Sequence, residues 1–477
     1  MTASSKKEIY VVGGGLAGSE CALQLASRGY FVRLYEMKPK HFSEAHKSPN
    51  LAEIVCSNSF GSQSEGSAPH QLKWEAEKLN SFILKIAKDN SVPAGQALSV
   101  DRERFSADVD RIVKSNPNIK VYDEMVNSLD QLPRPLVVAT GPLTAPSLAA
   151  SMQEHFGGNF LYFFDAIAPI IDVDSINMDI CWKADRYDKG TPDYINCPFN
   201  KEQYWNFVRE IEAAKKVEPK EFEKTSYFEG CMPIETMVER GLQTPRFGPM
   251  KPVGLANPRT GRDEYAIVQL RQDNKEGTAF NMVGFQTRMT YGEQVRLFRT
   301  IPGLENAEFL KLGSIHRNLF INTPSLLNKD LSSRRDPWLF FAGQITGVEG
   351  YFESTCTGVL VAKFLDEKIN GREISYPPRA SALGSIMEAI TDETRAKHFQ
   401  PTNINFGLLP PIEGMVGKKT DKKAKKDLQI KNARMAVAQW LNLPIDETLG
   451  MSVSNTAVGM EVATKPENVA QKESLPS

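Results

Sequence analysis

Apolar and polar positions alternate in blocks whose lengths already suggest elements. Ile9-Tyr10-Val11-Val12 is a short β-branched run, long enough for a strand and too short for a helix. It breaks at Gly13-Gly14-Gly15-Leu16-Ala17-Gly18, and Ala22-Leu23-Gln24-Leu25-Ala26 then continues as an apolar helix. A second strand-like run, Phe31-Val32-Arg33-Leu34-Tyr35, ends at Glu36, 18 residues past Gly18. Strand, glycine turn, helix, strand and terminal acid make up the first unit of a dinucleotide-binding fold. In that unit Gly13 permits the tight turn, Gly15 lets a pyrophosphate approach the backbone, and Gly18 lets helix and strand pack closely. Leu16 and Ala17 open the helix, whose free N–H groups face the phosphates. The Glu36 carboxylate can accept both hydroxyls of an adenosine ribose and would repel a 2′-phosphate.

Two later blocks repeat the strand-then-turn pattern. Leu136-Val137-Val138-Ala139-Thr140-Gly141-Pro142 reads as a buried strand ending on small residues. Trp338-Leu339-Phe340-Phe341-Ala342-Gly343-Gln344 is followed by Gly347, Gly350 and a helix expected from about Ser354 to Ile369. A nicotinamide dehydrogenase, or an S-adenosylmethionine site, needs only the first block. Three blocks favour FAD and the fold of the glutathione-reductase type, in which the later turns return to the cofactor. The roughly two hundred residues between the second and third blocks differ in character. Asp185 to Pro198 is polar and turn-rich, Lys201 to Lys216 is helical, and Arg240 to Pro258 is full of Gly and Pro. Tyr265 to Leu270 and Thr278 to Gly284 read as strands. The expected fold is therefore α/β: a glutathione-reductase-type FAD-binding Rossmann domain with an inserted mixed α/β domain. Residues 1–165 and 313–445 are expected to form the cofactor domain, 166–312 the insertion, and 446–477 a disordered tail.

Composition narrows the class. The 477 residues are 41% hydrophobic and 24% charged, with net charge −1, so any nucleic-acid partner must be held by local patches. Lys418, Lys419, Lys422, Lys423, Lys425, Lys426, Lys431 and Arg434 form one such run, against Asp421 and Asp427. No apolar run reaches the roughly 18 residues of a membrane helix; the greasiest stretch, Phe160 to Ile171, carries Asp165. Lys6-Lys7-Glu8 leads straight into the first strand without a signal-type apolar region. The six cysteines lack C-x-x-C spacing and the six histidines lack metal-ligand spacing, so no metal is expected and a reducing cytoplasm fits.

Two cysteines stand apart. Cys231 lies in Tyr227-Phe228-Glu229-Gly230-Cys231-Met232-Pro233-Ile234-Glu235, a turn, and Cys56 lies in Glu53-Ile54-Val55-Cys56-Ser57-Asn58-Ser59-Phe60-Gly61, ahead of a Ser/Gly-rich loop. A thiol in a loop beside a cofactor has the access that a nucleophile needs. Cys21, among Ala and Leu on the first helix, reads as core, and Cys181, Cys197 and Cys356 have no stronger claim.

Phe228 to Glu235, Arg246 to Leu255, Tyr291 to Asn322, Phe341 to Tyr351 and His398 to Gly414 closely resemble the folate- and FAD-dependent tRNA (uracil-5-)-methyltransferases, the TrmFO family. The resemblance runs from about Glu8 to Leu441. A sister family, the wobble-uridine flavoproteins, shares the Ala-Gly-Gln turn but lacks the Phe-Glu-Gly-Cys-x-Pro-Ile-Glu block and is usually longer. The resemblance implies methylation of the T-loop uridine-54 of tRNA at C5, with 5,10-methylenetetrahydrofolate as carbon donor, FAD as hydride source, and NADH or NADPH recharging it. It implies Cys231 as the nucleophile toward uracil C6, Cys56 as a second active-site cysteine, and Tyr351 stacked on the isoalloxazine. Gln344 stands where many flavoproteins carry Asp; the tRNA-modifying branch has the same Gln. Arg246, Lys251, Arg288 and Arg317 join the lysine run as candidate phosphate contacts, and no protein partner is expected. The alternatives are a wobble-uridine modification flavoprotein and a small-molecule flavin oxidoreductase.

Overall fold

The computed structural model describes residues 7–158, 161–166, 168–188, 191–217, 232–313, 315–412 and 422–444, with main chain alone at 161–166, 315–317 and 398. Five short strands form one parallel sheet in the order Leu339–Phe341, Leu136–Val138, Glu8–Val12, Phe31–Glu36, Ile119–Asp123. Strands covered on both faces read as continuous apolar runs, as two of these do: Leu136, Val137, Val138, Leu339, Phe340 and Phe341 are all 0% exposed. The three strand-and-turn blocks are thus neighbours at the sheet's centre and edge. The first helix, Leu16–Ser27, packs on this sheet and against the long helix Tyr351–Ile369. Gly18 is what allows the close approach: a Cβ there would sit 1.8 Å from the Gly13 carbonyl oxygen.

A second, six-stranded sheet is antiparallel, in the order Trp182–Lys183, Tyr194–Phe199, Ala266–Gln272, Ala279–Met282, Ile170–Asp172, Phe309–Lys311. Its core face takes Ile195, Cys197, Phe199, Ala266, Val268 and Leu270 against the helices Lys201–Ala213 and Tyr291–Phe298. Asn200 starts the former helix with a reciprocal capping box to Gln203, satisfying two N–H groups that have no helical partner. The sheet's apolar core is separate from that of the parallel sheet. The main-chain pairing of Leu161–Ala166 with Ile315–Phe320 carries the chain out and back.

The turn-rich reading of Asp185 to Pro198 is corrected here. Among the described residues of that stretch, Arg186–Asp188 forms a short turn, and Tyr194–Phe199 is a fully paired inner strand. Its polar member Asn196 is 0% exposed because its side chain donates to the Trp182, Ala184 and Tyr194 carbonyls. The Gly/Pro-rich stretch after it includes a short helix, Thr244–Phe247, just beyond the helix Ile234–Arg240. The C-terminal stretch 446–477 lies outside the described residues.

Candidate functional site: a cleft along the carboxyl ends of the parallel strands

Every strand of the parallel sheet ends at one cleft. It holds about 1070 Å³ of atom-free space, open solvent included, and is lined by Val12, Gly13 and Gly15 to Ala17, by Tyr35 to Lys38, Glu124 to Val126, Ala139 to Ala145, and by Gly343-Gln344. Ligands of open α/β sheets lie in this crevice outside the carboxyl ends of the strands. Gly13, Gly15, Leu16, Ala17, Glu36, Gly141, Gly343, Gln344 and Tyr351 all line it. Gly14 and Gly18 do not. Gly14 instead donates its N–H to Glu36 Oε2 at 2.7 Å, and Gly18 serves the helix packing.

The chemistry of this lining suits a dinucleotide. Gly13 has φ +98°, and a Cβ on it would meet the Ala139 oxygen at 2.5 Å, so the turn that opens the cleft accepts only glycine. Gly15 heads the first helix with no side-chain cap, and nothing stands within 4 Å of where its Cβ would be. The first-turn N–H groups are left for an anion. Glu36 is 8% exposed and already accepts from Gly14 and, through Oε1, from the Lys38 N–H at 3.0 Å. These bonds fix the carboxylate while leaving lone pairs for hydroxyl donors. Gln344 donates to Glu349 Oε2 at 2.9 Å, so a carboxylate lies close behind the amide. The Gly343 N–H donates to Thr357 Oγ1 at 2.6 Å. FAD fits this set of groups.

The segment carrying Cys56 borders the cleft at Val55. Cys56 is half-buried. The Tyr351 hydroxyl oxygen accepts the N–H of Cys56 at 2.7 Å and of Ser57 at 3.3 Å. Arg102 donates to the carbonyls of Ile54 at 2.9 Å and Cys56 at 3.5 Å, and Lys311 to that of Val55 at 3.3 Å. From the antiparallel sheet, Arg271 donates to Asn58 Oδ1 at 3.1 Å, and Asn58 donates to the Gln272 carbonyl at 3.0 Å. Arg102 is itself paired to both oxygens of Asp273 at 3.0 Å. Burial pushes the Lys311 ammonium below its ordinary range, with Arg102 and Lys47 adding to the effect. Arg102, Arg271 and Lys311 escaped the sequence reading. They stand on unremarkable polar positions and converge only in space.

Cys231 lies outside the described residues, as do Phe228 to Gly230. The chain on either side of 218–231 is tied to one short segment, Gln286 to Arg288. The Val217 N–H donates to the Arg288 carbonyl, the Ile234 N–H to that of Gln286, and Glu235 Oε1 accepts from the Thr287 hydroxyl. Cys21, Cys181, Cys197 and Cys356 are buried; burial pushes the Cys21 thiol up to about 12, so it stays protonated.

The candidate phosphate contacts separate. Arg246 stacks 4.2 Å from the Tyr265 ring and donates to the Tyr265 carbonyl at 2.7 Å, and Arg288 pairs with Glu239 at 2.7 Å. Both are engaged in holding the fold. Lys251 is exposed, and nothing is described of the Arg317 side chain. In the helix Lys422–Leu441, Lys422, Lys423, Lys426 and Lys431 are exposed, whereas Arg434 is 5% exposed against Trp74 and Gln71. Arg434 is thereby removed from the basic run; Lys418 and Lys419 lie outside the described residues. Among the described residues no helix is long and apolar enough to cross a membrane, and no group of three His, Cys, Asp or Glu could hold a metal.

A parallel sheet whose carboxyl ends open on one glycine-rimmed cleft, joined to an antiparallel sheet, defines a mixed α/β protein with a Rossmann-like core. Two crystal forms of Aquifex aeolicus GidA share this fold with TM-score 0.63 at 14% identity, over 93–94% of this chain and 75–77% of theirs. A family model described as Glucose inhibited division protein A matches residues 8–373. Curated relatives named "Methylenetetrahydrofolate--tRNA-(uracil-5-)-methyltransferase TrmFO" are closer. That of Bdellovibrio bacteriovorus is 67% identical over 92% of this chain and 99% of its own, and that of Myxococcus xanthus 46% over 98% and 99%. The chain belongs to the TrmFO family.

Proposed function

We propose that this protein is a methylenetetrahydrofolate–tRNA (uracil-5-)-methyltransferase that converts the T-loop uridine of tRNA to ribothymidine in the cytoplasm. The observation that carries the reading is identity of 46–67% over nearly the whole length of relatives bearing that name. The cleft supports it, because a methylene from folate is one hydride short of a methyl group. When bound, reduced FAD supplies that hydride, and NADH or NADPH replaces it. Gly13, Gly15, Leu16 and Ala17 would hold the pyrophosphate at the first helix, with Gly14 and Gly18 shaping the turn behind them, Glu36 the adenosine ribose, and Gly141, Gly343, Gln344 and Tyr351 the flavin end.

Uracil C5 is a poor nucleophile. A thiolate adding at C6 turns the ring into an enolate, which attacks the one-carbon electrophile from C5. Loss of the C5 proton expels the nitrogen that carried the carbon and leaves an exocyclic methylene; a hydride added there would complete the methyl group and return the electron pair that expels the thiolate from C6. Cys231 takes that role in this reading, with Cys56 as the second cysteine beside the cleft. Exposed lysines of the helix Lys422–Leu441, and Lys251, are available to tRNA phosphates, which dominate such affinity. The division into 1–165 with 313–445, and 166–312 between them, belongs to the same proposal. It is supported by two apolar cores whose members fall wholly on either side of these bounds.

Unmodified tRNA, methylenetetrahydrofolate and NAD(P)H are incubated with wild type and with Cys231→Ala, and the nucleosides are analysed. Ribothymidine from wild type and none from the variant is the expected result. Flavin-dependent NAD(P)H oxidation without any methylated base would overturn the reading in favour of a small-molecule oxidoreductase. Equal product from both proteins would remove Cys231 from its role.

A further inference from the structure

We propose that Tyr351 is a positioning residue that couples the contents of the cofactor cleft to Cys56. Its ring lines the cleft, and its hydroxyl oxygen, at the other end of the same rigid side chain, accepts the main-chain N–H of Cys56 at 2.7 Å and of Ser57 at 3.3 Å. Tyr351 opens the helix Tyr351–Ile369, which fixes its backbone, and Phe60 supports its ring at 6.0 Å between centroids. A planar group laid against that ring therefore limits where the hydroxyl can go.

The carbonyl side of the Cys56 segment is held differently. Arg102 grips Ile54 and Cys56, and Lys311 grips Val55, from outside the cleft lining. These cations hold the segment whether the cleft is full or empty. The amide side is tied to a side chain that lines the cleft. Cleft occupancy thus bears on the Cys56–Ser57 amides through the Tyr351 phenol oxygen, and an empty cleft leaves them less firmly held.

The inference rests on the cleft being a flavin site, and one experiment separates the two. Full-length protein is compared loaded with FAD and stripped of it, and iodoacetamide labelling of Cys56 is followed by peptide mass. Wild type is expected to label about fivefold faster when stripped, the equivalent of one hydrogen bond's net contribution. Tyr351→Phe keeps the ring and removes the acceptor; it is expected to retain the flavin spectrum while the stripped-to-loaded ratio falls to near one. Arg102→Lys loosens the same segment from its other side and should speed labelling in both states with the ratio preserved. A Tyr351→Phe ratio equal to that of wild type would mean that FAD merely shields the thiol, and would overturn the coupling. A wild type that takes up no FAD would instead overturn the reading of the cleft.

Discussion

The two sheets solve the burial problem in opposite ways. In the strands Leu136–Val138 and Leu339–Phe341 of the parallel sheet both faces are apolar, and the polar work is done at the strand ends, by turns. In the antiparallel sheet one face is apolar and the other is buried yet polar. Along Ala266–Gln272 the residues Ala266, Val268 and Leu270 enter the core, while Gln269 and Arg271 face the other way at 8% and 9% exposure. Gln269 lies opposite Asn196 and donates to it at 3.0 Å; Arg271 reaches Asn58 across 213 residues of sequence. A strand face can thus be buried without being apolar, provided that each polar group finds a partner. What this face meets is the segment that carries Cys56. The parallel sheet shapes the cofactor cleft, and the antiparallel sheet positions a cysteine beside it.

Damage to the turn region should show that difference most strongly. Gly18→Val places a side chain against the Gly13 carbonyl, where even a Cβ would be 1.8 Å away. Backbone must move, at a cost of more than about 3 kcal/mol, and FAD content read from flavin absorbance should be lost. Gly15→Ala, where nothing lies within 4 Å, should leave the melting temperature near wild type while weakening FAD binding. Were both variants to melt like wild type and bind FAD fully, the glycine turn would not be a cofactor cradle.

At the joint between the sheets the expected loss is next in size. Asp273 is 8% exposed at its side chain, and both its oxygens take the Arg102 Nε–H. Asp273→Ala leaves Arg102 part-buried beside Lys311 and Arg271 without its counter-ion. Breaking such a pair costs about 4 kcal/mol, measurable by urea unfolding, and Cys56 labelling should accelerate in the variant. Unchanged stability would mean that the two sheets are held together by apolar contact and that the buried ion pair contributes nothing.

How much of this was legible depends on how local the determinants are. The cleft was readable because each strand-and-turn block lies within ten residues or so, and a glycine's role follows from backbone geometry. Helix Tyr351–Ile369 was expected from about Ser354, and the structure adds one turn, including Tyr351 itself. Tyr194–Phe199 was missed as a strand because Pro192, Asp193, Asn196 and Pro198 look like turn residues when their partners are out of sight. The grip of Arg102, Arg271 and Lys311 on residues 54–58 could not be seen at all. It exists only after two strands from distant parts of the chain have been set beside one loop. Arg434 failed in the opposite direction: a charge in a basic run reads as surface, yet Trp74 and Gln71 enclose it.

The smallest of the expected effects concerns pH, on the outer layer of the parallel-sheet region. Glu75, on the helix Ala68–Lys78, is 0% exposed and accepts the N–H groups of Ala382 and Leu383 at 2.7 and 2.8 Å, at the start of the helix Ala382–Thr391. Burial pushes its carboxyl up to about 7, against the relief given by these N–H groups and Gln71. The fold therefore favours the protonated form more than the unfolded chain does. The stabilisation that this affinity represents is complete below the unfolded value of 4.5 and disappears as pH rises through about 7. Glu75→Gln cannot titrate. It gives up one N–H acceptor at every pH, but between pH 4.5 and 8 wild type should lose about 3 kcal/mol relative to the variant. Urea midpoints at four pH values across that interval measure the convergence. Parallel curves would show that Glu75 stays ionised throughout and that the helix N-terminus, rather than burial, governs its charge.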